Sequence, residues 1–201
     1  PVKVHANGDA AIDQLFEALR PVIARHGVKP GQVMLIHGQF IRPDQVEQLK
    51  PLGIFPSMFP MHTFYWGDWY KQIVGPEQAA RISPMRSILN TGLHATSHTD
   101  APIALPNLMQ VAWATVNRTS RSGTIIGADE RVTPYEAMKM ITLWGAEQFG
   151  EQATKGSLEP GKLADMVILS DNPLTIDPMK INTIVVLETI KEGKSVYRRE
   201  P

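Results

Sequence analysis

Val33-Met34-Leu35-Ile36-His37 is a compact apolar run that stops on a histidine. A run of this kind suits a strand buried on both faces. Upstream, Asp9 to His26 carries apolar residues at Ala11, Ile12, Leu15, Phe16, Leu19, Val22 and Ile23. That is the spacing of one helix face, interrupted only by Pro21 and stopped by Gly27. Before the helix, Val2-Lys3-Val4-His5 reads as a strand end, and it too finishes on histidine. Downstream, Pro43 opens a helix that runs to about Lys50. Gly53-Ile54-Phe55-Pro56-Ser57-Met58 is a third strand, demoted by Pro56 or ended near it. Strand–helix alternation of this kind implies a parallel sheet with right-handed crossovers.

The alternation continues less regularly. Phe59 to Glu77 is rich in aromatics, Gly and Pro, and reads as a long functional loop or lid. A short helix follows over Ile82 to Thr91, then a fourth strand over Leu93 to Thr99. Helices are expected at about Asn107–Asn117 and at Pro134–Phe149, the latter with Thr133 as N-cap. After Gly150 the texture changes. Ala164 to Leu169, Ile181 to Leu187 and Glu188 to Tyr197 read as strands, with a turn at Glu192-Gly193-Lys194. The expected division is therefore a βα body over residues 1–150 and a β-rich tail over 151–201.

Composition narrows the function. The chain has 201 residues, 43% hydrophobic and 20% charged, with 20 basic and 20 acidic side chains. That balance leaves no electrostatic footprint for nucleic acid or an anionic membrane. No apolar run is long enough to span a bilayer. There is no cysteine, so any metal must be held by His and carboxylates. The chain opens at Pro1 within a strand, which reads as a fragment; the compartment stays open, with the cytoplasm favoured.

Three polar residues close predicted parallel strands: His5, His37 and Asp100. Active sites of parallel α/β folds form at that edge, and imidazole and carboxylate are ligands of Zn²⁺ and similar ions. One such His alone would more often be a hydrogen-bonded core residue; the three together favour a site. His98 and Asp100 sit two apart, on one side of a strand. His98 therefore shares the site or packs in the sheet. His62, just beyond the third strand, contacts substrate or packs among the lid aromatics.

These residues resemble a known family. His5-Ala6-Asn7-Gly8-Asp9-Ala10-Ala11-Ile12 is similar to the H-A-x-G-D-x-A-I element of the amidohydrolase superfamily, in its YtcJ-like (amidohydrolase-3) branch. Met34 to Gly38 resembles that family's strand-plus-His element. Ser97-His98-Thr99-Asp100-Ala101-Pro102 resembles its S-D-A-P element, with two extra residues between Ser and Asp. Gly156 to Leu169 resembles its G-S-[IL]-x-x-G-K-x-A-D tail segment.

The resemblance implies a metal-dependent (β/α)₈ TIM-like barrel with a small β-sandwich, of which this chain would be the C-terminal half and part of the sandwich. It implies His5, His37 and Asp100 as metal ligands, Asp100 also as catalytic base, and His62 in contact with substrate, with His98 as a further substrate-side candidate. The implied cofactor is one or two divalent ions, zinc first, held weakly or not at all by the fragment. The implied reaction is hydrolysis of amide or related bonds by a metal-activated water. The family's H-x-H pair and its bridging carboxylate or modified lysine are absent, and four βα units stand where a barrel needs eight. The isolated chain is thus expected to be inactive, with a small-molecule substrate for the parent and self-association through bare sheet edges. A non-catalytic regulatory or interaction protein that keeps the fold is the alternative.

Overall fold

The computed structural model describes residues 1–200. Its frame is a four-stranded parallel sheet of β1 (Val2–Ala6), β2 (Val33–His37), β3 (Ile54–Met58) and β4 (Thr96–Ser97), in the order β1-β2-β3-β4. Spatial order follows chain order because each strand is joined to the next by helical crossovers. These are α1 (Asp9–His26), then α2 (Pro43–Leu49), then α3 (Met61–Ile73), α4 (Pro76–Ala80) and α5 (Met85–Asn90). After β4 come α6 (Leu108–Asn117), α7 (Pro134–Ile141) and α8 (Leu143–Gln148). The tail holds a separate antiparallel sheet of β5 (Met166–Leu169), β6 (Val186–Lys191) and β7 (Lys194–Arg198), in that order.

Register separates two faces of the parallel sheet. Val4, Leu35 and Pro56 share a level, as do His5, Ile36, Ser57 and Thr96. The face of Leu35, Ile54 and Met58 is sealed in a core with Ile12 and Phe16 of α1, Val46 and Leu49 of α2, and Met85 and Ile88 of α5. The other face carries Lys3, His5, Ile36, Phe55 and Ser57, and is covered only in part: Lys3 and His5 are exposed. Gln148 of α8 reaches onto it, accepting from Thr96 Oγ1 at 2.9 Å and donating to Met34 Sδ at 3.3 Å.

Several expectations are corrected. Phe59 to Glu77 is not a lid loop but α3 and α4. Gly67 lies inside α3, where the helix packs on Ile126 and a Cβ would meet Cγ1 at 2.6 Å. Pro21 sits within α1 without ending it. Pro56 lies in a central strand and does not end it. Met58 accepts from the His98 N–H, so Met58 and, two residues back, Pro56 turn their backbones toward β4. At the level of Pro56 the β4 ladder has not begun, so the missing N–H costs no bond. The fourth strand keeps only Thr96–Ser97, short of the expected Leu93–Thr99, since β3 alone pairs with it. The helix expected over Ile82–Thr91 begins at Met85, after a left-handed Ser83. The helix expected over Pro134–Phe149 breaks at Thr142, whose φ of −130° and ψ of −93° leave the helical region. The strand expected over Ile181–Leu187 is for its first part a 3₁₀ helix, Pro178–Thr183, opened by Asp177, whose side chain accepts from Met179 N. No helix among the described residues is long and apolar enough to cross a membrane.

Candidate metal centre at the strand ends

The histidines of β1 and β2 stand one residue out of step: His5 is opposite Ile36, and Ala6 opposite His37. Strand alternation would then place the two imidazoles on opposite faces. His37 escapes that parity with φ of 77°, a left-handed backbone that takes it out of the pleat. The rings of His5 and His37 meet edge-on with centroids 4.7 Å apart. Gly38 follows at φ 56° and completes the turn, its N–H donating to Ala6 O. Asp100, beyond β4, is also left-handed at φ 52°. Its Oδ2 lies 3.8 Å from His37 Nε2, an ion-pair distance too long for a direct hydrogen bond. Two bulky-backbone outliers on facing residues are the kind of strain that gathers at functional sites.

His62 and His98 close the other sides of His37, at ring distances of 5.7 Å and 5.0 Å. Both also pack on Phe59, edge-on at 4.8 Å for His62 and stacked at 5.5 Å for His98. His62 is in the first turn of α3 and not in a loop. His37 is thus the hub of four imidazoles. Burial pushes His62 down to about 3 and His98 to about 4, with His37 adding to both. Burial also lowers His37 itself, against the raising pull of Asp100. His37, His62 and His98 are therefore neutral near pH 7, the form that donates a lone pair to a metal or accepts a proton.

The donor set fits a divalent ion in part. Neutral imidazole and carboxylate are the right chemistry, and His37 Nδ1 and His98 Nε2 are buried with no hydrogen-bond partner, an arrangement that is costly unless something satisfies it. By themselves the residues do not form a closed shell: among the described residues no three His, Asp or Glu side chains stand close enough to hold an ion. His5 lies on the open edge of the sheet and is exposed, and Asp100 is partly exposed.

All five residues singled out in the sequence are thus brought to one rim. Sequence reading missed Ser83, whose Oγ lies 3.1 Å from His62 Nδ1, and Phe59, against which both outer imidazoles rest. No local pattern marks Ser83, because its contact with His62 spans α3 and α4.

Residues 1–197 match the profile of the amidohydrolase family. The N-substituted formamide deformylase of Arthrobacter pascens is 28% identical over 98% of this chain and 36% of its own length. The Bacillus subtilis protein YtcJ is 25% identical over 98% of this chain and 37% of its own. An uncharacterized metal-dependent hydrolase of Pyrococcus horikoshii superposes with a TM-score of 0.71 at 24% identity, over 88% of this chain and 35% of that one. The chain therefore spans little more than a third of the length of these relatives. The family profile takes in residues 1–197, strand-end histidines and β tail alike, and the chain belongs to the amidohydrolase family.

Proposed function

We propose that the complete protein is a metal-dependent hydrolase of amide or related C–N or C–O bonds, and that this chain carries the C-terminal half of its site. The observation that carries this reading is the meeting of His5, His37 and Asp100 at one rim, at 4.7 Å between the imidazoles and 3.8 Å between His37 and Asp100. In this reading residues 1–150 are four contiguous βα units of a (β/α)₈ barrel, supported by the strand order β1-β2-β3-β4. Residues 151–201 are part of a composite β-sandwich. The partly open face with His5 and Ile36 is the barrel interior.

His5, His37 and Asp100 would hold the ion, zinc being the first choice for this nitrogen and oxygen donor set. A divalent ion, when bound, lowers the pKa of its water to about 7. Asp100 is partly exposed and would be the carboxylate placed to take up a proton and return it to the leaving group. His62 and His98 are neutral and line the substrate side, and Phe59 with Trp66, 6.3 Å apart, gives that side an apolar wall. The missing ligands would come from the rest of the protein, so the 201-residue chain alone binds metal weakly and is inactive. The bare edge of β1 supports its self-association.

The test is metal content and amide hydrolysis of the complete polypeptide, beside the His37→Ala variant. The expected outcome is a stoichiometric divalent ion and turnover in the parent, both lost in the variant. Full metal retention by His37→Ala overturns the ligand assignment. Tight, stoichiometric Zn²⁺ uptake by the isolated chain in a calorimetric titration overturns the shared-site picture. A monomer by sedimentation removes the self-association.

A further inference from the structure

Ser83 is fully buried, yet its backbone is left-handed at φ 47°. It is pinned there from both sides. Its N–H donates to Gln39 O at 2.9 Å, and its carbonyl accepts from Arg118 Nη1 at 2.9 Å. Arg118 is itself buried and left-handed, and its guanidinium also donates to the carbonyls of Ile82 and Ile126, both at 2.7 Å. Such a conformation persists only where the surroundings over-determine it. What it achieves is the placement of one hydroxyl. Ser83 Oγ lies 3.3 Å from Phe59 O and 3.1 Å from His62 Nδ1.

A hydroxyl has a single proton and a carbonyl can only accept. Giving the Ser83 proton to Phe59 O, which also accepts from the His62 backbone N–H at 3.2 Å, satisfies both contacts at once when an N–H on Nδ1 completes the one with His62. In a neutral imidazole that leaves Nε2 as a bare lone pair. No hydrogen bond to Nε2 exists among the described residues, whereas Nδ1 has its partner. The ring is held on its other sides by Phe59, Trp66 and His37, so it has one place.

We propose that Ser83, locked by Arg118, is a positioning residue that fixes His62 as the Nδ1–H tautomer, so that His62 Nε2 is a standing acceptor for an N–H group of the bound ligand. The class of ligand follows. It presents an N–H donor beside the reacting centre, as primary and secondary amides do and tertiary amides do not. This assignment of ligand class rests on the reading of the rim as a hydrolase pocket; the tautomer does not.

The test uses the 201-residue chain with ¹⁵N-labelled histidine, read by long-range ¹H–¹⁵N correlation. The expected result is a protonated Nδ1 and an unprotonated Nε2 on His62. A proton found on Nε2 overturns the proposal with no variant needed. In Ser83→Ala the His62 nitrogens are expected to move toward the averaged values of exchanging tautomers, while those of distant His94 stay put; an unchanged His62 overturns the relay. N-methylformamide is expected to shift the His62 Nε2 signal in a saturable way, and N,N-dimethylformamide to leave it in place. Equal response to both, or to neither, overturns the N–H acceptor role. Loss of metal or hydrolysis in the complete protein would strike the hydrolase reading and leave the tautomer result intact.

Discussion

The body and the tail of this chain are both built on sheets, but they bury them differently. In the body, one face of the parallel sheet is sealed by helices, and Leu35, Ile54 and Met58 are at most 1% exposed. In the tail, every residue of β7 is exposed, and Val167, Ile168, Val196 and Tyr197 lie about half in water. The tail has no core of its own among the described residues. It is tied to the body through the 3₁₀ segment before β6: Trp113 Nε1 donates to Met179 O at 2.9 Å, Asn117 Nδ2 donates to Pro178 O at 2.8 Å, and Ile181 is 1% exposed beneath α6. The contrast teaches that a strand pattern secures hydrogen-bond ladders but not burial; burial needs a second layer.

The contrast can be broken most forcefully at Arg118. Arg118→Ala strips hydrogen bonds from the buried carbonyls of Ile82, Ser83 and Ile126. We expect a loss of about 3–5 kcal/mol, since three buried carbonyls lose their donor at about 1–3 kcal/mol each. Urea unfolding checks it, and a change under about 1 kcal/mol would mean the carbonyls find water.

Next comes the anchor. Ile181→Ala should cost about 2–5 kcal/mol by cavity formation. Hydrogen exchange should show lost protection in β5, β6 and β7 while β2 and β3 keep theirs. Equal loss in both sheets would show that body and tail unfold as one unit.

A smaller effect is set by pH. Glu136 accepts from Arg86 at 2.9 Å and 2.5 Å and from Thr133, and the guanidinium pulls its carboxyl down to about 2. A lowered folded pKa gives stability that is whole above the unfolded value, about 4.5, and is lost as pH falls through about 2. The body should therefore lose stability over that interval, and Arg86→Met should flatten the loss. Denaturant midpoints of the two proteins between pH 5 and 2 decide it; parallel curves would exclude the pair as the source.

The smallest effect is expected on the tail's outer surface. Val196→Thr on exposed β7 should alter the isolated chain by no more than about 0.5 kcal/mol. In the complete protein the same change should cost more if a second sheet covers it, and equal small effects in both would argue that this face stays in water.

Most of the body was legible because its pattern is local. The apolar run at 33–37 and the spacing at 11–23 name a strand and a helix without reference to anything distant. The histidines ending two strands, and the aspartate after a third, mark the rim for the same reason: parallel strands point their ends one way. The segment 59–77 misled because its Gly and Pro carry turn signals, and Gly67 is needed for close packing on Ile126 instead. The 3₁₀ helix before β6 was missed because its apolar residues fit a strand equally well.

The order of residues by itself determined most elements of the body, the candidate rim and the donor types there, since periodicity and chain direction are properties of the backbone. Only the tertiary structure decided that His37 leaves the pleat to meet His5, that His37 and not Asp100 is the centre of the cluster, and that Ser83 holds His62. Those outcomes depend on left-handed residues at 37, 83, 100 and 118, and such conformations are chosen by packing and hydrogen bonds from distant segments, against the local preference of the residues that adopt them.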